Sequence, residues 1–386
     1  MRTLRAFRPF PVRRKEIMRY IKPDFYDKFT CIADKCPATC CAGWQIVIDE
    51  DSLEKYGELK GAFGKRLRNS IDWEEGTFYQ FEGRCAFLNN KNFCDIQCEL
   101  GEEGLCETCH RYPRHIEEYE GLREYSLSLS CPQAARIMLE KTDAISFVEW
   151  EDELEDDFEE FDFLLFSQLE EARAVMFQII QDRSLDLEIR MEILLQFADD
   201  MQQCVDEERY FDMDEVIETY REWKNVKVQK MDAKRRYEQR IKEFAVFFKL
   251  ELLQDDWEDV LSQTWNVLFE KGQDSYRKIC ERFQKMYLVK EKNAWEIAGE
   301  QLLMFFVYTY FCGAVYDDMI YSKMALSIFS VRWIREFFMA QWVSTFSMSG
   351  KKIGKEELIS MAYHYAREIE HSDLNLNALE DWFNEA

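Results

Sequence analysis

Ten cysteines fall between Cys31 and Cys131 of a 386-residue chain, and Cys204, Cys280 and Cys312 bring the total to 13. Thiolates are soft ligands and reactive nucleophiles, so this density points to metal binding, iron–sulfur chemistry or redox work. Disulfides are the usual alternative only in oxidising compartments. The basic opening MRTLRAFRPFPVRRK is followed by EIMRYIKPDFYDKF, which lacks the apolar run of a secretory signal. The chain therefore reads as cytoplasmic, with its thiols available to a metal or cluster.

Spacing divides the thiols into three groups. The first is Cys31-x4-Cys36-x3-Cys40-Cys41. Cys36 and Cys40 share a face if the turn between them is helical. Adjacent Cys40 and Cys41 are expected to point apart, serving two sites, or one ligating while the other packs. The second group runs from Cys85 to Cys94, with Asn89-Asn90 at its centre. A hairpin turn there pairs Cys85 with Cys94 on one face of a ribbon, close enough to grip one metal site. The third is Cys98-x7-Cys106-x2-Cys109-His110-Arg111-Tyr112-Pro113-Arg114, followed by Cys131-Pro132. Cys106 and Cys109 alone have the short spacing of a structural zinc knuckle. The irregular gaps elsewhere suit an iron–sulfur cluster, with zinc as the alternative.

Arg111 and Arg114 read either as surface salt bridges or as holders of a carboxylate beside the cluster. His110 and His115 read as solvated or hydrogen-bonded, and His364 and His371 carry no chemical reading. The radical spacing Cys-x3-Cys-x2-Cys is absent, because Gly43 occupies the position required after Cys36 and Cys40. No Gly-x-Gly-x-x-Gly, Gly-x-Ser-x-Gly or His-Glu-x-x-His occurs, and the sequence singles out no catalytic base.

The elements that must position these groups are mostly helical. With 14 glycines, 6 prolines and 47% hydrophobic residues, the composition favours long helices around a real core. Trp44-Gln45-Ile46-Val47-Ile48 and Thr77-Phe78-Tyr79-Gln80-Phe81 read as short strands. Alternation over Ser126-Leu127-Ser128-Leu129-Ser130 predicts a strand, and Pro132 opens a helix. Residues 149–162 carry ten acids in fourteen positions, which reads as an exposed connector or a docking face for a basic partner. Beyond it, Ile189, Ile193, Phe197 and Met201 recur at helical spacing, as do Tyr237, Ile241, Phe244 and Phe248, and Trp333, Phe337 and Trp342. The basic run 224–242 reads as the wet face of a helix, and Asn377-Ala-Leu-Glu380 as a capping box. The most apolar stretch, 302–316, reads as a buried helix with no membrane insertion. The fold class is thus mainly α. A cysteine-rich, cluster-binding domain with a small β component occupies 1–148, and an all-helical domain occupies 149–386.

Seventy-five acids against 50 bases give a net charge of −25, which excludes nucleic acid as the main partner. The first 24 residues are the exception, with eight bases and two acids.

Lys22-Pro-Asp-Phe-Tyr-Asp-Lys-Phe-Thr-Cys31 and Cys36-Pro-Ala-Thr-Cys-Cys-Ala-Gly-Trp44 resemble the opening of the flagellin lysine-N-methylase family. So do Cys85-Ala-Phe-Leu, Phe93-Cys-Asp-Ile-Gln, Thr108-Cys-His-Arg-Tyr-Pro-Arg114 and Ser128-Leu-Ser-Cys-Pro-Gln-Ala-Ala-Arg136. The likeness covers about residues 20–140, with a looser match around Trp295. Part of the pattern is also similar to small cysteine-cluster proteins that chelate zinc or iron. The resemblance implies a methyltransferase that uses S-adenosylmethionine to methylate lysines of flagellin, the protein of the bacterial flagellum. It implies a 4Fe–4S cluster held by Cys31, Cys36, Cys40, Cys41, Cys85, Cys94, Cys109 and Cys131, with Cys98 and Cys106 as extras of this chain. His110 stands where the family pattern has Arg. The cluster's role is left open between an open iron that holds the amino-carboxylate of S-adenosylmethionine and a structural staple. The rival reading is a zinc- or iron-chelating or electron-transfer module without methyl transfer. The aromatic-rich length of 149–386 favours the enzyme.

Overall fold

The computed structural model describes residues 16–154, 161–288, 294–349 and 353–385. Two hydrophobic cores organise them. The smaller gathers Ile46, Tyr56, Phe78, Phe87, Cys85 and Cys106. The larger runs from Ile21 and Phe25 through Tyr119 and Ile145 to Leu379. From Ile21 the chain thus runs through the large core, leaves it to build the cysteine-rich core, and returns by Tyr119.

A four-stranded sheet forms one wall of the large core, in the spatial order Arg114–Tyr119, Leu122–Leu127, Glu16–Pro23, Phe147–Leu154. Its first two strands make a hairpin whose turn needs a left-handed residue, supplied by Gly121 at φ 71°. Glu16–Pro23 runs parallel to Leu122–Leu127 and antiparallel to Phe147–Leu154. The acidic run therefore begins inside a strand and not in a connector, and the helical half is not helical at its start. Cross-strand pairing explains this: Arg19 sits opposite Glu151, and Tyr20 stacks on Trp150 with ring centroids 5.1 Å apart. Acids along this edge strand also discourage pairing with another chain. Residues 155–160 of the acidic run and 1–15 of the basic opening lie outside the described residues.

The sheet is tied to the helices by a buried ion pair. Arg173, on the Phe163–Ile180 helix, donates to Glu124 Oε2 at 2.7 Å and to the Tyr308 carbonyl at 3.1 Å. Around the long helix Ile320–Ser349 pack Leu187–Asp206, Ala294–Tyr310, Trp257–Thr264, Lys355–Ile369 and Asp373–Glu385. Ile193, Phe197 and Met201 are buried on Leu187–Asp206, as their spacing predicts. Ala294–Val315 is apolar and long enough to cross a membrane, but 78% of its window is buried inside the protein.

Three helical expectations need correction. The Ala233–Phe244 helix tightens into the 3-10 turn Ala245–Lys249, which turns Phe248 out to 71% exposure. The basic run is not all wet face, because Arg240 is buried against Glu243 and Glu336 at 2.5 and 3.7 Å. Asn377 lies inside the last helix, Asp373–Glu385; its start is capped by Ser372 Oγ, which accepts from the Asn375 N–H at 3.1 Å.

Candidate functional site

Residues 31–44 form no long helix or strand, so their backbone groups need other partners. Thr39 Oγ1 accepts from the Cys41 N–H at 3.2 Å, and the Trp44 indole donates to the Cys40 carbonyl at 2.6 Å. The Cys85 N–H donates to the Cys41 carbonyl at 2.8 Å, fastening this loop to the small hairpin Gln80–Phe81 and Arg84–Cys85. Trp44–Ile48 is accordingly not a strand: only Val47 bridges to Thr77. The turn at 36–40 is not helical, yet both Cys36 and Cys40 reach the same cavity.

The Asn89 turn is wider than a two-residue hairpin. Asn89 Oδ1 accepts from the Lys91 and Phe93 N–H groups, Asn92 takes φ 59°, and Leu88 bridges to Cys94. Cys94 therefore does not sit opposite Cys85, whose strand partner is Gln80.

A cavity of about 100 Å³ is lined by six thiols, those of Cys31, Cys36, Cys40, Cys41, Cys94 and Cys131. Cys85, Cys106 and Cys109 lie in the adjoining small core. Cys40 and Cys41 do not serve separate sites: both reach the one cavity, and their thiols act on each other. A hydrogen bond from Cys40 holds Cys41 down to about 7 and drives Cys40 up. Cys109 acts on buried Cys106 in the same way, lowering it and being raised in return. Burial pushes Cys85 up to about 12 and Cys94 to about 11, and raises Cys36 and Cys131. Cys106 thus stands in the thiol neighbourhood although the resemblance left it outside the family pattern as an extra, whereas Cys98 is exposed.

The donor set fits a thiophilic group in kind: six sulfurs on one cavity, no carboxylate on its wall, and two thiol pairs each with one member eased toward thiolate. It is not a preassembled ligand set. Among the described residues no three His, Cys, Asp or Glu side chains are grouped closely enough to hold a metal ion as they stand.

The helical half closes over this loop. Arg367, on Lys355–Ile369, donates to the Ala38 carbonyl at 2.6 Å and to the Ser130 carbonyl at 3.0 Å. His371 Nε2 lies 2.8 Å from Ser130 Oγ, which also meets Tyr112 Oη at 3.0 Å and Ser128 Oγ at 2.6 Å. The His371 ring packs against Trp44 and edges Tyr112, with centroids 5.1 and 6.4 Å apart. Burial, then the Arg367 charge, lowers His371 to about 4, so the imidazole is neutral at pH 7. Sequence reasoning missed Arg367, His371 and Trp44, since their contacts join segments far apart in the chain.

Beside the thiol cavity lies an open groove of about 250 Å³ whose wall includes Trp44, Arg111, Tyr112, Arg114, His115 and His371. Tyr112 and Pro113 face both spaces and form the partition between them. Arg111 is paired with Glu107 at 2.5 Å, both side chains about half exposed. The Arg114 guanidinium lies over the Phe29 ring at 5.2 Å. His115 pairs with Glu117 at 2.9 Å, His110 with Glu102 at 3.7 Å and His364 with Asp256 at 3.0 Å.

The family model of the FliB lysine N-methylase C-terminal domain matches residues 173–386, more than half of the chain. The chain belongs to the FliB lysine N-methylase family. That match covers the Lys355–Ile369 helix that carries Arg367 and the turn after it that carries His371. The flagellar biosynthetic protein FliU of Salmonella muenchen is 30% identical over 137 residues, 33% of this chain and 81% of that protein. Lysine-N-methylases of Salmonella typhimurium and Salmonella choleraesuis are each 29% identical over 137 residues, and the match spans 34% of their length. No solved structure matches the chain.

Proposed function

We propose that this protein is a protein-lysine N-methyltransferase that takes its methyl group from S-adenosylmethionine and acts on flagellin in the cytoplasm, before export. Family membership, with relatives named lysine-N-methylase, is the observation that carries this reading. Bound S-adenosylmethionine supplies an electrophilic methyl on a sulfonium, and the acceptor is the neutral amine of lysine, whose ammonium form has no free lone pair.

Arg111 and Arg114 are proposed to hold the carboxylate of the methyl donor in the groove. The arginines contribute positive charge there, that of Arg111 shared with Glu107. An iron–sulfur cluster, 4Fe–4S, is proposed to be held by cysteines drawn from Cys31, Cys36, Cys40, Cys41, Cys85, Cys94, Cys109 and Cys131. Six of these line the thiol cavity, on the far side of the Tyr112-Pro113 partition from the arginines. That adjacency supports a cluster close to the donor's amino-acid end. The division into a cysteine-rich 1–148 and a helical 149–386 belongs to the same reading, with Arg367 and His371 as the place where the two parts meet.

The test is anaerobic purification followed by iron, acid-labile sulfide and zinc analysis, with calorimetric titration of S-adenosylmethionine. Iron with matching sulfide, and binding weakened in Arg114→Ala, support the proposal. Zinc without sulfide makes the cysteines a structural staple. Protein that never binds S-adenosylmethionine defeats it.

A further inference from the structure

A second cleft, of about 430 Å³, opens on the helical half, away from the thiols. One wall is the 3-10 turn Ala245–Lys249, with Leu252 beyond it. The other is the Trp257–Thr264 helix, which widens into a π-helical turn over Trp265–Phe269. Such one-turn widenings are concentrated at functional sites. Three large apolar side chains of this cleft face solvent: Phe248, Leu252 and Trp265, at 71, 48 and 38% exposure. A chain that seals most of its aromatics in the core leaves two of them open here.

The polar groups narrow the choice of occupant. Glu258 stands on the cleft wall and makes no ion pair or hydrogen bond among the described residues. The Trp265 indole N–H likewise has no acceptor there. An anion would meet the Glu258 carboxylate. A neutral apolar chain would strip water from that carboxylate and return nothing. A cation on an apolar stem satisfies both features, its stem on Phe248 and Leu252 and its head between an aromatic face and a carboxylate. N-methylation keeps the charge while reducing the hydration that must be shed, which strengthens the contact with the rings.

We propose that this cleft binds a lysine side chain of the protein substrate, preferring its N-methylated form, through Trp265, Phe248 and Glu258. The substrate class rests on the lysine-methylation reading; the cation preference rests on the cleft itself. A site of this kind, separate from the thiols and the arginine groove, holds the protein on a segment that has already been modified.

The test titrates the full chain with one peptide, neutral apart from the tested side chain, in three forms bearing lysine, trimethyllysine or norleucine. Tryptophan fluorescence and calorimetry follow binding. Trimethyllysine binds tightest, lysine more weakly, and norleucine not at all. Glu258→Gln and Phe248→Ala each weaken the trimethyllysine peptide by about fivefold or more. Both side chains are exposed, so thermal melts match wild type. Equal binding of norleucine, no binding of any peptide, or unchanged affinity in both variants overturns the proposal. Methyl transfer to the lysine peptide is followed in parallel. Discrimination without transfer keeps the cleft and removes the methylase reading; transfer without discrimination does the reverse.

Discussion

His371 Nε2 lies 2.8 Å from Ser130 Oγ, so a residue just beyond the Lys355–Ile369 helix is bonded to the residue that precedes Cys131. The same imidazole is packed against Trp44, four residues after Cys40, whose carbonyl takes the indole N–H. This contact fastens the cysteine loop to the segment that follows the Lys355–Ile369 helix. Its pH dependence follows. The folded value of about 4 lies below the ordinary 6.5, so the folded state resists protonation between the two. The contribution to stability is complete above pH 6.5 and is lost as pH falls toward 4, by at most about 3 kcal/mol. Urea unfolding across that window should show a slope that His371→Gln flattens. An unchanged slope in the variant removes His371 as its source.

Glu370, the neighbouring residue, has the opposite sign. Burial raises it to about 8, against a hydrogen bond from Tyr310, and its Oε1 has no partner. The folded state favours the protonated acid. Its contribution is full below pH 4.5 and is lost as pH rises to about 8, by about 3–5 kcal/mol. Glu370→Gln should be more stable than wild type at pH 8 and little different at pH 4.5. Equal denaturation midpoints at pH 8 contradict this.

Arg367 places two charge-assisted hydrogen bonds on backbone carbonyls of the cysteine region, at Ala38 and Ser130. Arg367→Met should cost about 2–4 kcal/mol and speed alkylation of the cavity thiols. Arg367→Lys should recover only part of this, because an ammonium does not reproduce the fork of the guanidinium. Alkylation kinetics as slow as wild type in Arg367→Met would show that the clamp does not shield the thiols.

Helical spacing made much of the larger core legible, because Ile193, Phe197 and Met201 needed nothing beyond their own helix to reveal the buried face. Local pattern failed where distant partners decide. Glu149 and Glu151 read as solvent-exposed connector, yet strand pairing to Ile21 and Arg19 fixes their backbone. Asn377 had the pattern of a cap, but Ser372 starts the helix. The thiols were visible by type; that Cys40 and Cys41 share one cavity, and that Cys106 lies beside Cys109, depends on turns the spacing does not encode. Arg367 carries no local mark at all, since its partner Ala38 lies 329 residues away.

The buried Arg173–Glu124 pair joins sheet to helices. Arg173→Met leaves Glu124 charged and unpaired in the core and should cost about 3–5 kcal/mol by chemical denaturation. The double variant Arg173→Met with Glu124→Leu should regain most of that. A double variant as unstable as the single one would mean that packing, and not the stranded charge, is at fault.

Cysteine replacements separate cavity thiols from bystanders. Cys41→Ala, on the cavity wall, and Cys106→Ala, paired with Cys109, should lower iron and sulfide content, while exposed Cys98→Ala should leave both unchanged. Loss on replacing Cys98 together with retention on replacing Cys41 would reverse the assignment.

Methyl transfer to lysine is the reaction proposed for this protein. Its most direct test is intact mass spectrometry of flagellin incubated with the anaerobically purified protein and S-adenosylmethionine. The expected result is a ladder of added methyl groups on lysine, lost in Arg114→Ala and absent without the methyl donor. Flagellin of unchanged mass, with protein that is folded and loaded with its metal, contradicts it.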